Sequence, residues 1–351
     1  MAPAPIRIGL IGAGGNTTSR HIPGFKAQET VEIVAVANRS LESGQRVADE
    51  FGVARVYGDW QALLADDEID AVCIGTWPYM HSTLTIAALE AGKHVLCEAR
   101  MAMDLGDAKT MLAASRRHPG LTAQIVPAPH TLAFDRTISE IIGHGRIGEV
   151  IALDARVAAG RAYPDGSGPP HWRHDRALSG NNIMSMGIWY EAMMRWVGPA
   201  KSVMAVGQSV VRHRKDADGR RKPMEIPDHV DVIGELEQGG QIRFNVSAVL
   251  GHAPDIADVH IFGTEGTLRL RQPVDGKMAL YSGKRGDPDL KEVEIAPEKR
   301  GGWRVEEEFT NAIRGLEPVT HTDFQTGVRY MEWTDAVTRS LRHREAVKLP
   351  L

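Results

Sequence analysis

Apolar runs and helical patterns alternate through the first third of the chain. IRIGLIG, EIVAVAN, AVCIGT, HVLCEA and TAQIVPA each read as a short buried strand. Between them, TSRHIPGFKA, SLESGQRVADEFG, HSTLTIAALEAG and DLGDAKTMLAASRRH read as helices. Strand–helix–strand alternation implies parallel strands with helices on both faces. The expectation is an N-terminal Rossmann-type α/β domain, a doubly wound parallel sheet over 1–126. Ligands of such sheets bind outside the carboxyl ends of the strands.

Beyond 126 the pattern changes. TLAFDRTISEIIGHGRIG reads as a helix ended by Gly. The long runs EVIALDARVAAG, KSVMAVGQSVV, HVDVIGELEQGGQIRFNVSAVL and ADVHIFGTEGTLRLR read as strands, with hairpin turns at EQGGQ and GTEGT. One helix, NIMSMGIWYEAMMRWVG, interrupts them, and TDFQTGVRYMEWTDAVTRSLRH closes the chain. The expectation for 127–351 is an α+β domain on a large open, mostly antiparallel sheet, whose closing helix is free to pack back on the first domain. An open sheet face needs a cover, commonly a second subunit.

Composition narrows the class of protein. A chain of 351 residues suits two domains, and 42% hydrophobic with 25% charged residues is the balance of a soluble globular protein. The net charge of −4 gives no reason to expect nucleic acid or a membrane surface as partner. No apolar run reaches the length of a membrane span, and MAPAPIRIGLIGAGG enters a strand without the layout of a signal peptide. Cys73 and Cys97 lie in apolar runs and are expected to be buried, reduced thiols on neighbouring strands; a cytoplasmic location follows. The basic stretch RHRKDADGRRKP reads as a solvated loop.

The first strand runs into Gly12-Ala13-Gly14-Gly15-Asn16-Thr17. Gly12 permits the tight turn and Gly14 permits close approach of a pyrophosphate, which the following helix start attracts. The third glycine position carries Thr17, so helix and strand are expected to sit further apart. The second strand ends in Asn38-Arg39-Ser40, where an acid that binds ribose is usual. A neutral Asn38 removes repulsion toward a 2′-phosphate that Arg39 and Ser40 are suited to bind, so the cofactor is NAD or NADP, with NADP favoured.

These segments, with TWPYMH, AALEAGKHVLCE, GHGRIGEV, WRHDRALSG, FGTEGTLRL and AIRGLEPV, together resemble the Gfo/Idh/MocA family, the relatives of glucose–fructose oxidoreductase and inositol 2-dehydrogenase. The resemblance implies a Rossmann domain followed by an α/β domain with an open sheet, and a tightly held nicotinamide cofactor. It also implies a sugar, cyclitol or glycoside substrate, and homodimers or homotetramers formed through that sheet. It assigns Thr76, Trp77, His81 and Glu98 to the cofactor side.

The departures from that family bear on the chemistry. Where it reads Glu-Lys-Pro, this chain has Glu98-Ala99-Arg100. The family's Asp and His, four residues apart on one helix, fall on Ser185 and Trp189. In the family's T-P-N-x-x-H, Trp77 stands for Pro and Pro78 for Asn. Oxidation of an alcohol still needs a base for the hydroxyl proton. His130, after the sixth strand, is the first candidate and Tyr190 the second, with Arg100 or Arg173 as the cation that a tyrosine base requires. Arg100, Arg173, His174, Asn182 and Trp189 are candidates for substrate binding. His171 and His174 have no acidic or thiol partners at a ligand spacing, so no metal is expected. The main expectation is an NAD(P)-dependent oxidoreductase acting on a sugar, cyclitol or glycoside hydroxyl with a non-standard acid/base. The alternatives are a redox-neutral lyase or glycosidase that oxidises its substrate transiently, and a nucleotide-binding protein without catalysis.

Overall fold

The computed structural model describes residues 4–160 and 162–351. The chain forms two compact units. One runs to Pro127 and takes in Arg304–Met331; the other is Ala128–Trp303 with Glu332–Leu351.

In the first unit, β1 (Ile6–Ile11), α1 (Ile22–Lys26), β2 (Val31–Ala37), α2 (Leu41–Phe51), β3 (Arg55–Tyr57), α3 (Trp60–Leu64), β4 (Ala71–Ile74), α4 (Pro78–Glu90), β5 (His94–Cys97), α5 (Leu105–Arg117) and β6 (Ala123–Ile125) follow in order. The six strands form one parallel sheet in the order β3-β2-β1-β4-β5-β6. This is the doubly wound Rossmann arrangement, with its switch point between β1 and β4. Local chemistry starts the helices. Ser40 and Ser43 form a reciprocal capping box at α2, Pro78 opens α4, and Asp104 accepts from the Asp107 N–H at the start of α5. Cys73 and Cys97 are free and fully buried on the neighbouring strands β4 and β5. Burial pushes both thiols up, which keeps them inert.

A single cut at 126 and 127 would assign Arg304–Met331 to the second domain, whereas this segment joins the first unit. Its backbone extends the edge of the parallel sheet. Ile125 N–H donates to the Thr322 carbonyl at 2.9 Å, and Gln124 bridges Asp323. Gln124 Nε2 also donates to Glu308 at 2.8 Å and to the His321 carbonyl at 2.7 Å.

The rest of the chain supplies α6 (Asp135–Gly143), β7 (Val150–Ala158), α7 (Arg176–Ser179), α8 (Met186–Val197), β8 (Ala200–Gln208), β9 (His213–Lys215), β10 (Arg221–Pro223), β11 (His229–Leu236), β12 (Gln241–Ser247), β13 (Asp255–Gly263), β14 (Gly266–Pro273), β15 (Ala279–Lys284), β16 (Lys291–Glu292), α9 (Val305–Ile313), α10 (Phe324–His343) and β17 (Val347–Lys348). Nine strands form one sheet in the order β16-β15-β14-β13-β7-β12-β11-β8-β17, antiparallel except where β7 meets β12. Its inner face is apolar with a period of two: Val230 and Val232 on β11, and Ile242, Phe244 and Val246 on β12. Trp333 from α10 packs on Phe244 there. Met204, Val206 and Ile233 point to the other face and are 40%, 70% and 53% exposed. The basic stretch at 212–223 is not a plain loop. Its ends pair as the short hairpin β9–β10, because Asp216 turns the chain by accepting from the Asp218 and Arg220 N–H groups.

Candidate functional site

In the first unit the glycine loop, the end of β2 and the start of α4 line a cleft of ≈ 490 Å³. Among the residues expected there, Gly12, Gly14, Asn38, Arg39, Thr76 and Trp77 form its wall. Ser43, Asp59, Trp60, Gln61, Tyr79 and Met80 join them without having been anticipated. No periodicity marks those residues, because they come from helix starts that only the fold gathers.

Gly12 has φ +79, and a Cβ there would lie 2.5 Å from Thr76 Cγ2 and 2.9 Å from the Thr76 amide nitrogen. Both the backbone conformation and the close approach therefore demand glycine. A Cβ on Gly14 would meet nothing nearer than 3.9 Å, and one on Gly15 nothing within 4 Å, so the loop is open toward a ligand. Thr17 is 1% exposed, and the space for it comes from Gly75 at the end of β4: a Cβ on Gly75 would overlap Thr17 Oγ1. The absence of a side chain on Gly75, just past β4, leaves the room that Thr17 takes. Gly12→Ala is expected to destabilise the protein by about 1–3 kcal/mol and to weaken nucleotide binding by more than about tenfold. Thermal melting and a nucleotide titration check this.

Asn38 has a local role that accounts for its being an amide. Its Oδ1 accepts from the Ala13 N–H at 2.7 Å, and its Nδ2 donates to the Ser43 carbonyl at 3.1 Å. An aspartate would accept the first bond and repel the second carbonyl. Arg39 is exposed on the cleft wall. Ser40 is turned away into the α2 capping box, with its hydroxyl accepting from the Ser43 N–H. His81 also stands behind the wall. Its ring is fully buried, 2.9 Å from the Thr76 carbonyl and 3.0 Å from the Arg100 carbonyl, and burial lowers its pKa. It ties the turn after β4 to the turn after β5.

At the end of β5, Glu98 accepts from the Asn16 amide, and its other oxygen accepts from the Ala99 N–H at 3.0 Å. His21 lies beneath, fully buried, with Nε2 2.9 Å from Glu98 and Nδ1 2.5 Å from Glu306. It sits on a π-helical turn, Thr17–His21, that leads into α1. Burial opposes the imidazolium, but the bonds to Glu306 and Glu98 outweigh burial and push its pKa up to about 9. Glu98, where burial works against ionisation, is held below the usual carboxylate range by His21 and Asn16. Arg100 is 1% exposed.

In the second unit, His130 is exposed and lies flat on Trp189, with ring centroids 5.0 Å apart and 8° between planes. Trp189 is 3% exposed. Tyr190 is not a pocket residue. It is 1% exposed, stacks on Trp333 at 4.0 Å, and its hydroxyl accepts from the Ala200 N–H at 2.8 Å. Consecutive residues of α8 face about 100° apart, so Trp189 turned to His130 leaves Tyr190 facing the core. Arg173 stacks over Trp172 at 4.2 Å. His171 Nδ1 accepts from the Arg173 N–H, and His174 Nδ1 accepts from the His171 N–H, which makes a local 3-10 turn. Burial and Arg214 lower the His174 pKa. Asn182 is 1% exposed and donates to the Ser179 carbonyl at 2.7 Å, whereas its neighbour Asn181 joins Arg176 to Asp335. Among the described residues no group of three or more His, Cys, Asp or Glu is arranged to hold a metal ion, and no helix is long and apolar enough to cross a membrane.

The first unit therefore has the make-up of a dinucleotide-binding domain: a parallel sheet, an open glycine turn at its switch point and a helix start beyond it. Residues 6–124 match the model of an oxidoreductase family with an NAD-binding Rossmann fold, and residues 136–269 match the GFO/IDH/MocA C-terminal domain. The chain belongs to the GFO/IDH/MocA family of NAD-binding oxidoreductases. It is 32% identical over 320 residues to dTDP-3,4-didehydro-2,6-dideoxy-alpha-D-glucose 3-reductase of Streptomyces violaceoruber, covering 88% of this chain and 85% of that one. It is 28% identical to D-glucoside 3-dehydrogenase of Escherichia coli (strain K12), over 99% of each chain. Among solved structures, the apo form of levoglucosan dehydrogenase shares the fold with a TM-score of 0.87 at 20% identity, over 99% of each chain.

Proposed function

We propose that the protein is an NAD(P)-dependent dehydrogenase or reductase of a sugar or glycoside hydroxyl, with His130 as its acid/base. The observation that carries this reading is the state of His130. Its ring is exposed and held flat by Trp189, while Tyr190 is committed to the core. The names of the relatives that act on glucosides and deoxyglucoses support the substrate class. Bound in the glycine cleft, the nicotinamide cofactor supplies the hydride acceptor. His130 takes the hydroxyl proton at an imidazole nitrogen in oxidation and returns it in reduction. Ala99, Ser185 and Trp189 stand where the family's Lys, Asp and His are expected, and none of these three side chains is a base that takes up the proton near neutral pH. Arg173 over Trp172 offers a cation and an aromatic face to a sugar ring.

NADP is the favoured cofactor, because Arg39 is exposed on the cleft wall and Asn38 brings no negative charge. Arg39→Ala is expected to weaken NADPH binding about 10–100-fold while NADH affinity changes little, the loss of a charge-assisted contact of about 1.5–3 kcal/mol. Parallel fluorescence titrations of the two nucleotides check this. A second copy of the chain covers the sheet face that carries Met204, Val206 and Ile233. Sedimentation is expected to give a dimer or tetramer, and Ile233→Asp to shift it toward monomer. The experiment that tests the function identifies by mass the nucleotide released from denatured protein. It then follows reduced nicotinamide by absorbance with polyols and methyl glycosides. Absence of any bound or bindable nucleotide would overturn the proposal.

A further inference from the structure

The helix that carries Trp189 also grips the chain leading to His130. Four residues of the second unit make the grip: Ala128, Asp135, Glu191 and Arg195. Glu191 is 3% exposed and accepts from the Ala128 N–H through Oε2 at 2.7 Å. Its Oε1 accepts from Arg195 Nη1 at 3.1 Å, an i, i+4 pair along α8. Arg195 Nη2 donates to the Ala128 carbonyl at 3.3 Å and lies 3.2 Å from Asp135 Oδ2. Asp135 is fixed in turn by the Trp196 Nε1–H at 2.8 Å.

Ala128 is thus held at both its donor and its acceptor by one ion pair. It lies between Pro127 and Pro129, whose rings lock φ and which have no N–H of their own to offer. His130 follows directly. From the clamped residue the chain passes through one proline to His130, whose ring lies against Trp189. Buried carboxylates and guanidinium groups are costly unless paired, and here the Arg195 guanidinium lies against the carboxylates of both Glu191 and Asp135. A neutral, apolar packing would hold the helix in place as well, but it would not hold both faces of one peptide segment.

We propose that Glu191 and Arg195 are positioning residues that fix the His130 ring for proton transfer. This rests on the reading of His130 as the acid/base. An error of about 1 Å in such a group costs about 100-fold in rate.

The test uses the full-length protein and the variants E191Q, R195K and H130Q. E191Q keeps an acceptor for Ala128 but loses the charge that holds Arg195. R195K keeps the charge but cannot span Glu191 and the Ala128 carbonyl together. The first arm needs no substrate: histidine ring signals are followed by NMR against pH, with the His130 signal assigned by its loss in H130Q. The expected result is a displaced His130 signal with an altered titration midpoint in E191Q and R195K, while the His21 and His81 signals stay in place. The second arm measures NADP-dependent oxidation of methyl D-glucoside. Each variant is expected to lower kcat about 10–100-fold with nucleotide affinity unchanged, and to have under about twofold effect when added to H130Q. A His130 signal that does not move in either variant, or full additivity with H130Q, overturns the positioning role whatever His130 does. Unchanged turnover in H130Q overturns the acid/base reading whatever the clamp does.

Discussion

Replacing His130 by Gln is expected to lower kcat by about 100- to 10,000-fold, the range that a positioned general base contributes. Nucleotide affinity is expected to stay within about twofold, because His130 is not among the residues that line the glycine cleft. Steady-state kinetics with a nucleotide titration on the same preparation check both halves. His130 is exposed and Gln is a polar side chain of similar size, so the loss reports the proton function more than folding. Trp189→Phe keeps an apolar face and is expected to lose about tenfold or less. If H130Q retains full turnover, proton transfer belongs to another group.

Removing His21 has the largest expected effect on stability. His21→Ala leaves Glu98 and Glu306 facing one another with no cation between them, at 12% and 3% side-chain exposure. Breaking a buried pair in this way costs about 3–5 kcal/mol. The pH dependence has a defined sign. The folded-state pKa of His21 is raised to about 9. The stability it confers is therefore complete below the ordinary histidine value and is lost as pH rises through about 9. Glu98 has a depressed pKa, so its contribution is present above the ordinary carboxylate range and fades as pH falls toward its folded value. Urea unfolding across pH 6–10 is expected to show an alkaline decline in the native protein that H21A lacks. An unchanged decline in H21A would assign it to another group.

Much of the fold is readable from hydrophobic period alone. The switch from strand–helix alternation to long alternating strands marks the change of architecture near residue 127, and Gly12 and Gly14 mark the cleft. What escapes is long-range. Glu306 meets His21 across 285 positions of sequence, and Arg304–Met331 returns to the parallel sheet through Thr322 and Asp323. Neither has a local signature, because the segments earn their place by hydrogen-bonding a sheet edge rather than by periodicity. Tyr190 illustrates a second limit. On α8 nearly every residue from Met186 to Val197 is buried, so period cannot say which aromatic faces a pocket and which the core. Ala99, Ser185, Trp189 and His130 can all be read in sequence, but the flat contact between His130 and Trp189 emerges only in three dimensions. Ser40 fails for a similar reason, since its hydroxyl is needed by the helix it starts.

Net hydride transfer between a nicotinamide cofactor and a sugar hydroxyl is tested most directly by stoichiometry: moles of NADPH or NADH formed per mole of methyl D-glucoside consumed, with the product identified by mass. One reduced cofactor per molecule oxidised is expected, with a product two mass units lighter than the substrate. Consumption of the glycoside with release of methanol and no accumulated reduced cofactor would contradict it, and would make the protein a redox-neutral enzyme that oxidises its substrate only in passing.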